Sequence, residues 1–527
     1  MYDCDALIIG AGHNALTCAG YLARAGYRVI VLERRHRAGG AVVTEEVVPG
    51  YRFDLGGSAH ILIHHTPVVA DLQLERYGLH YLDCDPIMFH PFPDGSSITV
   101  HRDVDRTCQS IAAFSPEDAE RYQRFVREWS PIAELMVETF NHAPTVWNLF
   151  RKMGWPARFP GGQLLGNRQI FRPYGEVVRE LFVSEQVRAL VGWMAAQSGP
   201  PPGEPVTGPF ALWHPMYHVS GVKRPRGGSG ELTQALQRMI EDHGGQVLTG
   251  RPVEKILVEH GRAVGARCVG GEELRARVVV SGAHIHTTLG MLDTQDISPL
   301  HRKLLGQARV GNGFAMVVRF AVNRLPNYLA APSPADGSPG QHHRGLQFVC
   351  PSLDYLERAY GDYLGGRPSR EPGLVVMTFS AVDPSLAPPG KHVMFIWGQY
   401  HPFRLSDGET WPAIQQRERD RLLDTLEAYA PGIRSEIVGE LIESPLYLQE
   451  ELGLPCGNVM HLEMSIDQMF FMRPALGLSR YRGPVKGLYL TGASTHPGGG
   501  IMAAAGRNAA KAVLRDLSAP WRWLKRL

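Results

Sequence analysis

The chain has 527 residues, enough to bury a large core and to form more than one domain. Its 54 basic and 52 acidic residues leave a net charge of +2, which gives no electrostatic footprint for nucleic acid. The cysteines (Cys4, Cys18, Cys84, Cys108, Cys268, Cys350, Cys456) stand far apart, without C-x-x-C or metal-finger spacing, which argues against a dithiol redox centre and suits a reducing compartment.

Ala6–Ile9 is an apolar run suited to a buried parallel strand. It breaks into Gly10-Ala-Gly12-His-Asn-Ala15, a G-x-G-x-x-A turn that opens a helix. Gly10 permits the tight turn, Gly12 lets the backbone approach a pyrophosphate, and Ala15 keeps the helix close to the sheet. The helix N-terminus offers free N–H groups and its dipole to the phosphates. Leu16, Ala19, Leu22 and Ala23 recur at helical spacing, and Gly26 is placed to end the helix. A second apolar strand, Val29–Leu32, leads into Glu33, where an acid accepts hydrogen bonds from the adenosine ribose and repels the 2′-phosphate of NADP. A lone glycine-rich turn means little. Strand, turn, helix, strand and acid in this order, within one βαβ length, point to an ADP-containing dinucleotide.

Residues 6–23 carry no charge, yet the acidic flank (Asp3, Asp5) and the interruption at Gly10, Gly12, His13 and Asn14 argue against a signal peptide or membrane span. No other stretch of spanning length is free of charge. A cytoplasmic protein is therefore expected, with room for attachment to the inner face of a membrane.

After Glu33-Arg34 come Gly39-Gly40, Thr44 and Gly50-Tyr-Arg-Phe-Asp54-Leu-Gly-Gly57-Ser58. A glycine pair soon after the ribose acid is not needed for NAD, whereas an extended FAD makes the chain fold back beneath it. This block resembles the amine-oxidase and phytoene-desaturase group of FAD enzymes, and the resemblance implies an isoalloxazine near Phe53–Gly56. Ser115-Pro-Glu-Asp118 predicts a helix start, with helical spacing continuing to about Trp155 and a loop at residues 156–166. A second helical stretch runs from Glu176 to about Gln197. Trp213, His214, Tyr217 and His218 would wall an apolar channel or serve as ordinary core.

Gly227-Gly-Ser-Gly230 precedes a helical pattern, the strand Gln246–Thr249, and strands at Val253–Val258, Ala263–Val269 and Val278–Ser281. This resembles the returning half of the same FAD domain, and the resemblance implies that the backbone of Val253 holds adenine. Phe314–Val322, Leu374–Phe379 and Val393–Tyr400 read as strands of a mixed sheet, and Trp411–Tyr429 as a helix. His461 and Gln468 either face the flavin or hydrogen-bond locally. Gly487–Gly492 is a strand ending in glycine. Gly498-Gly-Gly500-Ile501-Met502 leads into the helix Ala503–Lys511, whose N-terminus would place the Ile501 and Met502 amides against the flavin.

The expected fold is α/β: a Rossmann-like FAD-binding domain (1–104, 223–304 and 476–527) interleaved with a mixed-sheet and helical substrate domain (105–222 and 305–475). The expected FAD contacts are Gly10, Gly12, Ala15, Glu33, Arg34, Gly40, Gly57, Ser58, Val253, Gly492, Ile501 and Met502. No catalytic side chain is assigned, and no metal is expected: the sets His60, His64, His65 and His284, His286 lack acidic or cysteine partners nearby in sequence. A second nicotinamide fold is missing too, which leaves oxygen, a quinone or another carrier as electron acceptor.

The segments AGHNAL, EEVVPGYRFDLGGSAHILI, WMAAQSGPPP, GNVMHLEMSIDQMF and LTGASTHPGGGIM are similar to the flavin-dependent carotenoid 4-ketolases of the phytoene-desaturase group. That resemblance implies a polyene substrate and a keto group at ring carbon C4. Alternatives on this scaffold are a carotenoid desaturase or isomerase, an amine oxidase, and a prenyl-protein escort without redox chemistry; intact Gly10, Gly12, Glu33 and Gly40 count against the last. The tail Ala519–Leu527 mixes two Trp and two Leu with three cations, a composition that suits either a bilayer surface or an ordinary chain end.

Overall fold

The computed structural model describes residues 2–145, 148 and 168–518. The apolar run after Asp5 forms the inner strand Cys4–Ile9, flanked in parallel by Val29–Leu32 and Glu273–Ser281. Gln246–Leu248 adds beyond Val29–Leu32, and Leu488–Leu490 pairs with the other edge of Glu273–Ser281, again in parallel. By sequence the parallel strands stand in the order 3-2-1-4-5, the doubly wound arrangement whose crevice lies where the order reverses. An antiparallel hairpin, Val253–Glu259 with Arg262–Cys268, joins the start of Glu273–Ser281. The helices His13–Arg24, Glu231–Asp242 and Ala504–Ser518 pack together and bury their apolar stripes with the inner strands in one core.

The second sheet has the order Ile437–Glu443, Ala315–Val322, His392–Gln399, Gly373–Met377, Leu346–Val349, Met88–Pro91, Ser97–Val100. Its pairs are antiparallel except for Leu346–Val349 with Met88–Pro91. Met316, Val318, Phe320 and Val322 face the helix Trp411–Glu427. The alternate side, with Val317, Phe348, Val375 and Phe395, faces the helical segment and the crevice.

Several boundaries differ from expectation, each for a tertiary reason. Met88–Pro91 and Ser97–Val100, read as part of the cofactor domain, belong to the second sheet, because pairing with Leu346–Val349 decides where a short apolar run goes. The helix from Pro116, capped by Ser115 Oγ accepting from Asp118 N, ends at Phe140; residues 146, 147 and 149–155 and the 156–166 loop lie outside the described residues. The stretch after Glu176 is two helices, Tyr174–Leu181 and Glu185–Ala196. They separate where the buried Asp118 carboxylate accepts the amides of Val183 and Ser184 at 2.8 and 2.6 Å. The tail Ala519–Leu527 also lies outside the described residues.

Candidate active site

A crevice of about 660 Å³ opens at the carboxyl ends of Cys4–Ile9 and Glu273–Ser281. Gly10 takes a φ of +85° and donates its N–H to Leu32 O, which turns the chain out of the strand. Gly12 is the extended N-cap of the first helix; a Cβ there would meet nothing within 4 Å, so its backbone borders open cavity. Ala15 packs so close to Gly282 that a Cβ on the glycine would lie 2.6 Å from that of Ala15. Gly40, with φ +60°, sits against Gly12, its would-be Cβ 3.0 Å from Gly12 Cα.

Glu33 is buried at the end of the second strand, where Oε2 accepts Ala11 N at 2.7 Å and Oε1 accepts Arg35 N at 2.9 Å. Each oxygen keeps a further lone pair for a ligand hydroxyl. Val253 lines the same end with Arg251 and Pro252, tied to Glu33 through Arg251 N donating to Glu33 O at 2.8 Å. Arg34 borders the crevice, but its guanidinium donates to the carbonyls of Glu450 and Glu451. At the other end Gly57 abuts Ile501, its would-be Cβ 2.8 Å from Ile501 Cδ1. Ser58 Oγ accepts from Arg319, and Gly492 (φ +90°) closes the wall. The last helix begins at Ala504, so Ile501 and Met502 form the turn before it; Ile501 lines the crevice, while the Met502 side chain is buried in the adjoining core.

An acid at one end, bare backbone at Gly12 and glycine contacts along the length suit an extended dinucleotide such as FAD. Beyond them the crevice reaches an apolar wall of Val317, Phe348, Val375, Met377, Phe395 and Trp397. A second, mostly apolar cavity of about 610 Å³ adjoins it, with Met460 lining both.

Three histidines line the crevice: His13, His284 and His461. Burial pushes His13 and His284 down to about 4 and His461 well below its usual value, so all three are neutral near pH 7. His461 Nδ1 lies 3.0 Å from Ser494 Oγ, and its carbonyl accepts from His284 Nε2. Gln468 instead clamps the main chain of Arg309 through both amide atoms. His60 bridges Ser229 and Tyr81. Among the described residues no group of three His, Cys, Asp or Glu side chains could hold a metal ion.

Sequence reasoning missed the buried charges behind the wall. Arg319, 1% exposed, donates to Glu443 at 2.8 Å and to Gly56 O at 3.2 Å. Arg224 pairs with Asp54 at 3.2 Å, and Asp54 also accepts from Thr44 Oγ1 and Ser229 N. Together they fasten the Thr44–Ser58 segment to the second sheet and to the Gly227–Gly230 turn. One signal was available: Arg319 is the single charge in Ala315–Val322, a strand buried throughout.

A doubly wound sheet with this crevice at its switch point, facing an apolar chamber built on a second sheet, defines an FAD-binding oxidoreductase. The chain belongs to the flavin containing amine oxidoreductase family, whose model matches residues 16–419. It is 35% identical to the rat pyridine nucleotide-disulfide oxidoreductase domain-containing protein 2, over 97% of this chain and 94% of that one. It is 28% identical to one of the limonene dehydrogenase subunits of Castellaniella defragrans, over 98% and 95%. It is 26% identical to the neurosporene-forming phytoene desaturase of Rhodobacter capsulatus, over 94% and 91%.

Proposed function

We propose that this FAD-dependent oxidoreductase oxidises an unsaturated isoprenoid hydrocarbon at an allylic carbon, and that its reaction is formation of a 4-keto group on a β-ionone ring. The observation that carries the hydrocarbon reading is the apolar wall, Val317, Phe348, Val375, Met377, Phe395 and Trp397, which the second sheet presents to the crevice. A cation delocalised along a polyene forms without a strong base, so the chamber's part is enclosure and position. The names of the limonene and phytoene relatives point the same way.

Bound FAD supplies a two-electron acceptor that takes hydride from the substrate. Loss of hydride from an allylic carbon leaves a cation that a polyene delocalises, and the apolar wall holds that carbon and excludes bulk water. Capture by one water, with loss of a proton, gives an alcohol; once the electron acceptor has taken the first electron pair, loss of a second hydride from the same carbon together with the hydroxyl proton gives the ketone. Loss of a proton in place of water capture gives a new double bond, and the desaturase name among the relatives favours this second reading. Oxygen or a quinone reoxidises the flavin.

Anaerobic mixing of the yellow holoenzyme with β-carotene, phytoene or limonene, followed by product mass, tests the proposal. A flavin that bleaches with dithionite but with none of these would remove the hydrocarbon reading. In oxygen-18 water a labelled ketone supports water capture, and products with extra double bonds and no oxygen move the assignment to desaturase. Such substrates dissolve in bilayers, and the proposal includes docking on a membrane surface. Among the described residues no helix is long and apolar enough to cross one. Liposome flotation with and without residues 519–527 tests docking by the tail.

A further inference from the structure

Arg473 is fully buried, and among the described residues its guanidinium donates only to main-chain carbonyls: Ala493 O at 2.8 Å, Met460 O at 2.6 Å, and those of Glu463, Gln468 and Leu462 at 3.2–3.4 Å. The carboxylates of its own segment are engaged elsewhere, since Glu463 and Asp467 both accept from Arg309 at 2.8 Å. Among the described residues no carboxylate pairs with Arg473. A buried cation held by dipoles alone is expensive to desolvate, and burial draws its pKa down to about 9.

The position of this charge gives it a use. Met460 and Ala493, two of its acceptors, both line the cofactor crevice, and Met460 also lines the second cavity. A Cβ on Gly498 would lie 3.5 Å from Arg473 Nε, so the guanidinium stands directly behind the Gly492–Gly500 turn whose other side borders the crevice. Hydride transfer adds two electrons and one proton to a neutral flavin and so leaves a negative charge in that crevice. In a low-dielectric wall an unpaired cation acts on such a charge without touching it.

We propose that Arg473 is the fixed counter-charge for the reduced flavin: its unpaired guanidinium, caged by the carbonyls of the crevice wall, raises the flavin's reduction potential. It is a positioning residue for charge and makes no contact with substrate. The inference rests on FAD binding and is independent of which hydrocarbon is oxidised.

The test is the midpoint potential of flavin-loaded protein, measured against a reference dye for the wild type, Arg473→Gln and Arg473→Lys. The glutamine variant is expected at a more negative potential, and the lysine variant close to wild type because it restores the charge without the five-carbonyl cage. A structural role alone would harm the melting temperature of both variants and leave their potentials alike. Unchanged potential in folded, loaded Arg473→Gln overturns the proposal, as does an equal fall in Arg473→Lys. If the glutamine variant does not fold, the wild type decides through the absorbance of its reduced flavin as pH is lowered. Persistence of the anionic form below the pH at which free reduced flavin is protonated supports the proposal, and protonation at the free-flavin pH overturns it.

Discussion

The Glu33 carboxylate accepts the Ala11 N–H at 2.7 Å, which ties the acid after the second strand to the glycine turn after the first. One side chain thus shapes the phosphate-binding turn and presents its remaining lone pairs to a ribose. Glu33→Arg removes both functions and places a cation where hydroxyls need an acceptor. A hydrogen bond to a charged group contributes about 1.5–3 kcal/mol, so FAD affinity should fall roughly tenfold to a hundredfold. The ratio of flavin to protein absorbance after purification reads this directly, and unchanged occupancy would falsify the ribose assignment.

Gly12 and Gly506 make opposite predictions for the same substitution. A methyl at Gly12 meets nothing in the protein and its backbone is extended, so Gly12→Ala should leave the apoprotein as stable as before or more stable by about 0.4–1 kcal/mol. It occupies the space a pyrophosphate would approach, so flavin should be lost. A Cβ at Gly506 would lie 2.1 Å from Asn14 O, inside the contact between the first and last helices. Gly506→Ala should therefore lower apoprotein stability by about 1–3 kcal/mol. Melting curves and flavin content of the two variants, taken together, separate cofactor space from packing; parallel losses in both would contradict this division.

The cofactor half was legible because its signals are local. Gly10, Gly12, Glu33 and Gly40 each answer to a turn, a close approach or a charge that neighbouring residues make recognisable, and all four line the crevice. The second half was less so because its organisation is set across long sequence distances. Met88–Pro91 is an apolar run like many others until it pairs with Leu346–Val349. The break at Phe182–Ser184 depends on a carboxylate from Asp118, on another helix. Arg473 is invisible for the same reason, since its partners are carbonyls and carbonyls leave no trace in sequence.

Arg319 and Glu443 form an ion pair with side chains 1% and 0% exposed. Burial pushes the Glu443 carboxyl up while Arg319 beside it pulls it down. Removing one partner strands the other: Arg319→Met or Glu443→Leu alone should destabilise by about 3–5 kcal/mol. The double variant replaces both charges with apolar groups and should recover much of that loss, apart from the contacts of Arg319 to Ser58 and Gly56. A urea double-mutant cycle measures the coupling, and strictly additive losses would show that the pair is not a unit.

The buried histidines set how the protein responds to acid. His13, His90, His284 and His401 are held down at about 4 and His496 at about 3, each chiefly by burial, against an ordinary value of 6.5. Between pH 6.5 and 4 the unfolded chain therefore binds protons that the folded chain refuses. Stability is full above 6.5 and falls as pH drops toward 4, by up to about 1.4 kcal/mol per pH unit for each such histidine. The shifted carboxylates Asp420 and Asp467 have pKa values lowered from 3.8, so their contribution is lost below this window. His90 isolates one proton: its Nε2 bonds only the carbonyl of Cys350, at 2.7 Å, and its ring lies against Phe92. His90→Gln keeps a donor of similar reach and cannot be protonated in either state. Urea midpoints across the window should fall steeply for the wild type and about one proton less steeply for His90→Gln. A wild-type midpoint that stays level from neutral pH to pH 5 would mean that these histidines take up protons in the folded protein as readily as in the unfolded chain, and their burial would not be what makes the protein acid-sensitive.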